Sequence, residues 1–257
     1  MSNSNYKNPL KLVSIITVVF NNVGQIKEAI KSVLSQNYSN IEYVVIDGNS
    51  NDGTKEILEE YRNQISVLLI EPDKGLYDAL NKGINLSSGE VIGFLHSDDF
   101  FANRNVVNDL MECFDNENAD VVYGDLDYLK RGSNKLILRH WHAGNFSKRK
   151  LNYGWMPPHP TFYAKKELYQ SFGCFNPNYK IAADYDCMLR ILKQDISVSY
   201  IPKVFVKMRT GGKSNKNLKN IVQKSYEDYI VMKNHNIGGV ISLICKNLSK
   251  LQQFLIR

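Results

Sequence analysis

Residues 89–99 read GEVIGFLHSDD, and how this stretch is taken decides what kind of sheet the chain builds. The run Val91-Ile92-Gly93-Phe94-Leu95 shows no alternation of polar and apolar positions, which is the pattern of a buried strand. It ends abruptly in His96-Ser97-Asp98-Asp99. Two adjacent carboxylates at the end of such a strand repel one another and lose hydration, so they need either a solvated turn or a cation.

The same kind of unit recurs on the N-terminal side. Leu12–Phe20 reads as a buried strand, followed by a helix over Gly24–Gln36 with Ile26, Ile30, Val33 and Leu34 on one face. Tyr43–Ile46 is a second strand and Thr54–Asn63 a second helix, with Ile57, Leu58 and Tyr61 inward. Val67–Ile70 and Leu76–Leu86 repeat the pair, and Val106–Asn116 with Val121–Tyr123 follows the quoted strand. Strands and helices alternating at this spacing predict βαβ units: a Rossmann-like, mainly parallel α/β sheet with helices on both faces.

Beyond about Asp125 the alternation breaks down. Leu126–Trp141 reads as two short strands around a turn at Arg131-Gly132-Ser133-Asn134, and Met156-Pro157-Pro158-His159-Pro160 as a stiff loop. Lys165–Ser171 and Asp184–Lys193 are predicted helical, Val198–Lys207 a strand, and the chain from Leu218 onward helical.

Composition narrows the function classes. With 257 residues, 43% hydrophobic and 11% aromatic, the chain can bury one large core or two modest ones. Its four cysteines are scattered with no Cys-x-x-Cys pair, which predicts reduced thiols in a cytoplasmic protein rather than a disulfide frame or zinc site. No run reaches the roughly 18 apolar residues of a membrane span, and Leu12–Phe20 lacks the cleavage site of a signal peptide. The net charge of +6 is uneven. Residues 201–257 hold eleven Lys and Arg against Glu227 and Asp228, which is +9 and leaves −3 for residues 1–200. Such a tail suits an anionic partner, or is simply a solvated basic surface.

In an open α/β sheet, ligands bind at the carboxyl ends of the strands. Those ends here are Thr17–Asn22, Asp47–Thr54, Glu71–Gly75 and His96–Asp99, rich in carboxylates, amides, glycine and hydroxyls. In DGNSNDGT, residues 47–54, Gly48 and Gly53 permit tight turns and Asp52 or Thr54 can cap a helix. Asp47 could accept a hydrogen bond from a nucleobase N–H, or the stretch could be a capping turn alone.

SIITVVFNN, VVIDGNSNDGT and GEVIGFLHSDD, in this order on consecutive strands, with ADYD later beside a helix, resemble the family-2 glycosyltransferases of the A-type fold. EPDKGLYDALNKGI, residues 71–84, resembles members that build bacterial surface polysaccharides. The resemblance covers roughly residues 12–210. It implies a catalytic domain over 1–210, with a nucleotide-sugar half at 12–125 and an acceptor half at 126–210, and a basic helical extension at 211–257. It also implies that Thr17, Val19, Asn21, Asp47, Asn49, Lys74, Gly75, Asn81, His96 and Asp98 contact a nucleotide-diphosphate sugar, most simply a UDP-sugar. Asp98 and Asp99 would hold Mn²⁺ or Mg²⁺, a hard cation that takes one or two carboxylates plus phosphate oxygens and would screen their repulsion. Relatives often carry a carboxylate where this chain has His96, whose neutral imidazole could contact phosphate or ribose, ligate metal, or merely pack. Asp184 matches the catalytic base of an inverting displacement, while Asp186, about 200° further around a helix, points elsewhere. His159, Arg209 and Lys213 are candidate phosphate or acceptor contacts, the last two around Gly211-Gly212.

Ile237, Val240, Ile241, Ile244, Leu248, Leu251 and Leu255 recur at helical spacing, flanked by Lys246, Lys250 and Arg257. Residues 237–257 are therefore expected to lie against an anionic membrane, at the inner face of the plasma membrane, or to dock on the body or a second subunit as a homodimer. The resemblance implies a glycan or polyprenyl-diphosphate-linked acceptor. A nucleotidyltransferase would want a glycine-rich, lysine-bearing loop after the first strand, which FNNVGQ is not; a nucleic-acid partner is not expected, since no binding motif is present. A non-catalytic nucleotide-sugar or glycan-binding module remains the alternative reading.

Overall fold

The computed structural model describes residues 11–130, 132–210 and 218–252. Its centre is β1 (Val13–Val19), every residue of which is buried. Ile16 and Val18 pack on one face of the sheet and Val13, Ile15 and Val19 on the other, so the strand's alternation feeds two separate cores. Its two polar residues are paired: Ser14 Oγ accepts the Gly89 N–H at 2.9 Å and donates to Glu42, and Thr17 shares a 3.2 Å hydrogen bond with the Tyr43 hydroxyl.

Parallel pairing joins β1 to β2 (Ile41–Asp47) on one side and β4 (Val91–Phe94) on the other, with β3 (Val67–Ile70) outside β2. The helices α1 (Ile26–Leu34), α2 (Thr54–Glu60) and α4 (Val106–Asn116) cover one face. The opposite face is covered by α3 (Leu76–Leu86), α6 (Lys166–Phe172) and α7 (Ala183–Leu192). The chain winds outward from β1 to β3 and then returns to the far side of β1 as β4. That reversal opens a crevice at the carboxyl ends of β1 and β4.

The predicted parallel sheet is the β3-β2-β1-β4 half. The sheet continues as β8 (Tyr163–Lys165), β6 (Val121–Leu129), β9 (Val198–Arg209) and β5 (Phe100–Phe101), with β7 (Ile137–Trp141) hairpinned onto β6. In this half only β6 and β9 pair in parallel; the other pairings are antiparallel. Tyr163 of β8 lies across Gly93, where a Cβ would fall 1.8 Å from its ring, so this position of β4 admits no side chain. Two- and three-residue strands such as β5 and β8 carry too few positions to show a period, which is why they are invisible in the sequence. The predicted Val121–Tyr123 strand runs on to Leu129 because β9 pairs along its whole length.

A one-turn α5 (Lys148–Leu151) precedes the proline loop, and the tail forms α8 (Leu218–Asn234) and α9 (Gly239–Gln252). The tail packs on the body through Val231, Met232 and Ile237, which are buried in the core of the α3/α7 face. The disposition of α9 also corrects the expectation for Lys246. Instead of flanking an apolar stripe at the surface, its side chain is 5% exposed, ion-paired to Asp228 at 2.8 Å and seated over the Tyr185 ring. Burial lowers the Lys246 pKa to about 8, with Asp228 opposing the shift.

Removing one partner of such a buried pair leaves the other charge uncompensated. Lys246→Met is therefore expected to cost roughly 3–5 kcal/mol, with Lys246→Met/Asp228→Leu recovering most of it. Thermal unfolding of the two variants reads this directly; equal losses would show that the pair is not the source.

Candidate active site

The loops at the carboxyl ends of β1 and β2 are laced together by hydrogen bonds. Asn21, in the left-handed region at φ 50°, donates its N–H to Ser50 Oγ and accepts the Asn51 N–H on Oδ1, both at 2.8 Å. Asp47 is fully buried at the end of β2 and accepts the Ser50 N–H at 3.0 Å and the Ser50 hydroxyl at 2.5 Å. The N-cap of α2 is Gly53, left-handed at φ 99° and without a side-chain cap; Asp52 before it takes the Val23 N–H and the Thr54 N–H and hydroxyl on its carboxylate. Asn49, also left-handed at φ 67°, accepts from Lys55. Thr17 and Val19 send their side chains into the core, leaving only backbone at the rim.

At the head of α3, Lys74 and Gly75 are exposed, their N–H groups bound to Asp78 and Asp73. Asn81 is engaged at both ends of its amide with the backbone of Phe175, at 2.8 and 2.9 Å. It ties α3 to the loop before α7.

The acidic turn lies between β4 and β5, and Asn22 Nδ2 donates to Ser97 Oγ at 3.0 Å across the crevice. Asp98 is half-buried and Asp99 wholly buried. Asp99 Oδ1 accepts the Arg209 N–H at 3.2 Å, while Oδ2 has no partner. Burial, and then the Asp98 charge, push the Asp99 pKa well above the carboxylate range. Part of the compensation asked for by the sequence comes from Arg209 at the end of β9. Its guanidinium, 6% exposed, donates to the Asp98 carbonyl at 2.6 Å and to Asn134 at 2.7 Å, pairs with Glu28, and lies over the Phe100 ring. Arg209 thus braces the turn from within the fold. Lys213 lies outside the described residues.

Among the described residues, no group of three or more His, Cys, Asp or Glu side chains is assembled to hold a metal. A hard divalent cation commonly needs only one or two carboxylates when a diphosphate supplies the rest. The unpartnered buried oxygen of Asp99, with Asp98 beside it, fits that minimal donor set.

The third cluster was not foreseen as a unit. His96 and His159 meet Nε2 to Nε2 at 3.1 Å, and His159 Nδ1 lies 3.4 Å from Asp184 Oδ2. Burial lowers both imidazole pKa values, that of His159 to about 4, against the opposing pull of Asp184. Two neutral rings can share only one proton across the Nε2 contact. The carboxylate favours the tautomer with N–H on His159 Nδ1, so His96 Nε2–H donates to His159. Asp184, in the first turn of α7 and 21% exposed, also accepts the Tyr185 N–H at 2.8 Å. Asp186 faces elsewhere, paired with Arg190 and His235. His96, His159 and Asp184 border a cavity of about 80 Å³ whose walls are apolar, including Tyr77, Phe94, Phe175 and Met188.

The chain matches the family model "Glycosyl transferase family 2" over residues 14–180. It belongs to that family. An uncharacterised glycosyltransferase of Mycobacterium tuberculosis is 32% identical over 186 residues, covering 69% of this chain and 68% of the relative. A PGL/p-HBAD biosynthesis glycosyltransferase of Mycobacterium bovis is 27% identical over 221 residues, covering 84% and 82%. Among solved structures, TarS 1–349 of S. aureus in complex with UDP-GlcNAc superposes with a TM-score of 0.67 at 19% identity, over 95% of this chain and 71% of that one. The chain spans 43% of the longer TarS chain. A mannosyltransferase of Pyrobaculum calidifontis, in complex with GDP-Man and Mn²⁺, gives 0.61 at 15% identity, over 96% and 78%. The fold is the A-type glycosyltransferase fold.

The family's order of motifs on the strands was legible in the sequence; the His96–His159 contact was not, because it joins residues 63 positions apart. The histidine pair sets a pH expectation. His159 titrates near 4 folded and near 6.5 unfolded, so between those values the unfolded chain binds more protons and stability falls as pH falls. Urea unfolding of wild type and His159→Asn at pH 7 and pH 5 should show a smaller pH loss in the variant. An identical loss in both would mean His159 titrates normally.

Proposed function

We propose that this glycosyltransferase moves one sugar, with inversion, from a nucleotide-diphosphate sugar to a hydroxyl of a glycan or polyprenyl-diphosphate-linked acceptor in bacterial surface-polysaccharide synthesis. The observation that carries the reading is the placement of Asp184. A partly exposed carboxylate on a helix start borders the same cavity as His96, which belongs to the turn that carries Asp98 and Asp99. Asp184 takes the proton of the acceptor hydroxyl as that oxygen attacks the anomeric carbon and the bond to the diphosphate breaks. A single displacement inverts the centre. Asp98 and Asp99 would hold Mn²⁺ or Mg²⁺, which when bound offsets the charge gathering on the leaving diphosphate. His159 faces Asp184 Oδ2 and the Tyr185 N–H is bound at Oδ1, so the acceptor hydroxyl takes a remaining lone pair of the carboxylate.

The donor end is assigned to the loops after β1, β2 and β3, with Asn21, Asn49, Lys74 and Gly75 at the rim and Asp47 and the Thr17–Val19 backbone beneath. UDP is the favoured nucleotide, supported by the bound UDP-GlcNAc in the TarS relative of like fold. Absence of a carboxylate at His96 favours a second reading, a nucleotide-sugar-binding module without transfer.

Titration with UDP, GDP and dTDP, each with and without Mn²⁺, separates the two when combined with variants. Asp184→Asn should bind nucleotide normally and lose on the order of 10²–10⁴ in turnover, and Asp99→Ala should abolish the metal's effect on binding. Full activity in Asp184→Asn, or UDP binding still tightened by Mn²⁺ in Asp99→Ala, would remove the respective assignment.

An acceptor carried on lipid is supported by α9. No described helix is long and apolar enough to cross a membrane. Yet Val240, Ile241, Ile244 and Leu248 are all more than half exposed, Ile241 at 71%. Across residues 201–257 the two acidic side chains, Glu227 and Asp228, are turned inward, so the charge shown outward by α8 is basic, from Lys219 and Lys233. An exposed apolar stripe on α9, in a tail whose outward charge is basic, fits an anionic lipid surface better than a second copy bearing the same charge. Wild type should sediment with phosphatidylglycerol-containing vesicles and not with phosphatidylcholine alone, and Ile241→Ser/Ile244→Ser should weaken this roughly tenfold or more. Dimerisation of the wild type, abolished by the same substitutions, would assign the face to a second subunit instead.

A further inference from the structure

Helix α7 begins without a side-chain cap: the residue before it is Ala182, and nothing on its own chain segment takes up the preceding N–H groups. They are taken up from α8, 45 to 47 residues later. Glu227, 5% exposed, accepts the N–H of Ile181 at 2.8 Å and of Ala182 at 3.0 Å on Oε2, and of Lys180 at 3.1 Å on Oε1. Gln223 Nε2 steadies the carboxylate from the preceding turn of α8, donating to Oε1 at 2.8 Å. The same three-residue segment is held from its other side by Tyr77 of α3, whose hydroxyl donates to the Ile181 carbonyl at 2.6 Å. Asp184 follows two residues after Ala182. Its backbone position is therefore set by a segment clamped on its N–H edge by one helix and at the Ile181 carbonyl by another.

From this arrangement we infer that Glu227 is a positioning residue for the base Asp184. It touches no reacting atom and acts through the backbone of residues 180–182. This rests on the assignment of Asp184 as base and extends it, because it makes α8 part of the catalytic apparatus. The chemistry requires a carboxylate. Three converging N–H donors need an acceptor with two oxygens and several lone pairs, and an anion also suits the N-terminal end of α7. An amide in the same place would present its NH₂ to one of those donors, leaving an N–H without an acceptor and shifting the segment. Displacement of a base by a fraction of an ångström to one ångström lowers turnover while the distant nucleotide loops stay as they are.

A purely structural role would behave differently. Val231 and Met232, on the following turn of α8, anchor that helix in the core independently of Glu227. Loss of the clamp should therefore be local.

The test uses the full chain and the variants Glu227→Gln and Glu227→Asp, with three readouts: turnover, nucleotide affinity by titration with UDP, and amide hydrogen exchange. Glu227→Gln is expected to lower kcat roughly tenfold to hundredfold with UDP affinity unchanged and faster exchange confined to the amides of residues 180–187. Glu227→Asp, which keeps the charge one methylene short, should recover part of the loss. Unchanged exchange at 180–187, or a fall in UDP affinity and cooperative unfolding that matches the fall in kcat, overturns the inference. If wild type transfers no sugar, the exchange readout still decides whether Glu227 clamps the segment, while the failure belongs to the transferase assignment.

Discussion

A strand with no exposed side chain must be roofed twice, and β1 imposes that requirement on the rest of the molecule. Its alternating residues feed one core under α1, α2 and α4 and another under α3, α6 and α7. Parallel neighbours on both sides can be reached only by crossovers, and those crossovers supply part of the roof, α1 and α2 on one face and α3 on the other. The reversal of winding at β1 then leaves the ends of β1 and β4 side by side with no connection between them. The crevice is thus a by-product of satisfying a buried strand, and the polar loops gather where the roof is open.

Charge placement follows a second rule, that a buried carboxylate survives only with partners. Asp47 has Ser50, Asp228 has Lys246, Glu227 has three backbone N–H groups, and Asp186 has Arg190 and His235. Asp99 is the exception, with one oxygen satisfied by the Arg209 N–H and the other left bare. A fold that pairs its other buried acids so fully, yet leaves this one half-paired beside Asp98, concentrates unmet electrostatic demand at one point of the crevice.

The parallel half was legible because its strands and helices are long enough to show their periods: the predicted Leu76–Leu86, Val106–Asn116 and Val67–Ile70 coincide with α3, α4 and β3. The mixed half was only partly so. Its strands β5 and β8 are two and three residues long, and what fixes them is a partner from elsewhere in the chain. Within the site, residue types at strand ends were readable, whereas their orientation was not. Thr17 and Val19 occupy the right strand but face the core, Asn81 is engaged by Phe175, and Arg209 is turned to the acidic turn from behind. The histidine pair and the Glu227 clamp depend on tertiary proximity, and no spacing rule within one segment encodes that. Of the tail's predicted apolar stripe, Ile237 is buried while Val240, Ile241, Ile244 and Leu248 face outward, and the inward face of α9 carries Ser242 and Lys246, residue types that hydropathy alone assigns to the surface.

The Arg209–Asp99 contact has a bearing on how the chain is made. It spans 110 residues of sequence, and β9, which delivers it, is also the strand that closes the sheet over β6 and β5. Loop-closure entropy makes such pairings late events. During synthesis the acidic turn therefore emerges and waits, unbraced, through the translation of the next 110 residues. Until β9 arrives, the β1–β4 half can be native in its strands and still lack a formed acidic turn, so ordering of that turn should lag behind the helical signal of α1 to α4.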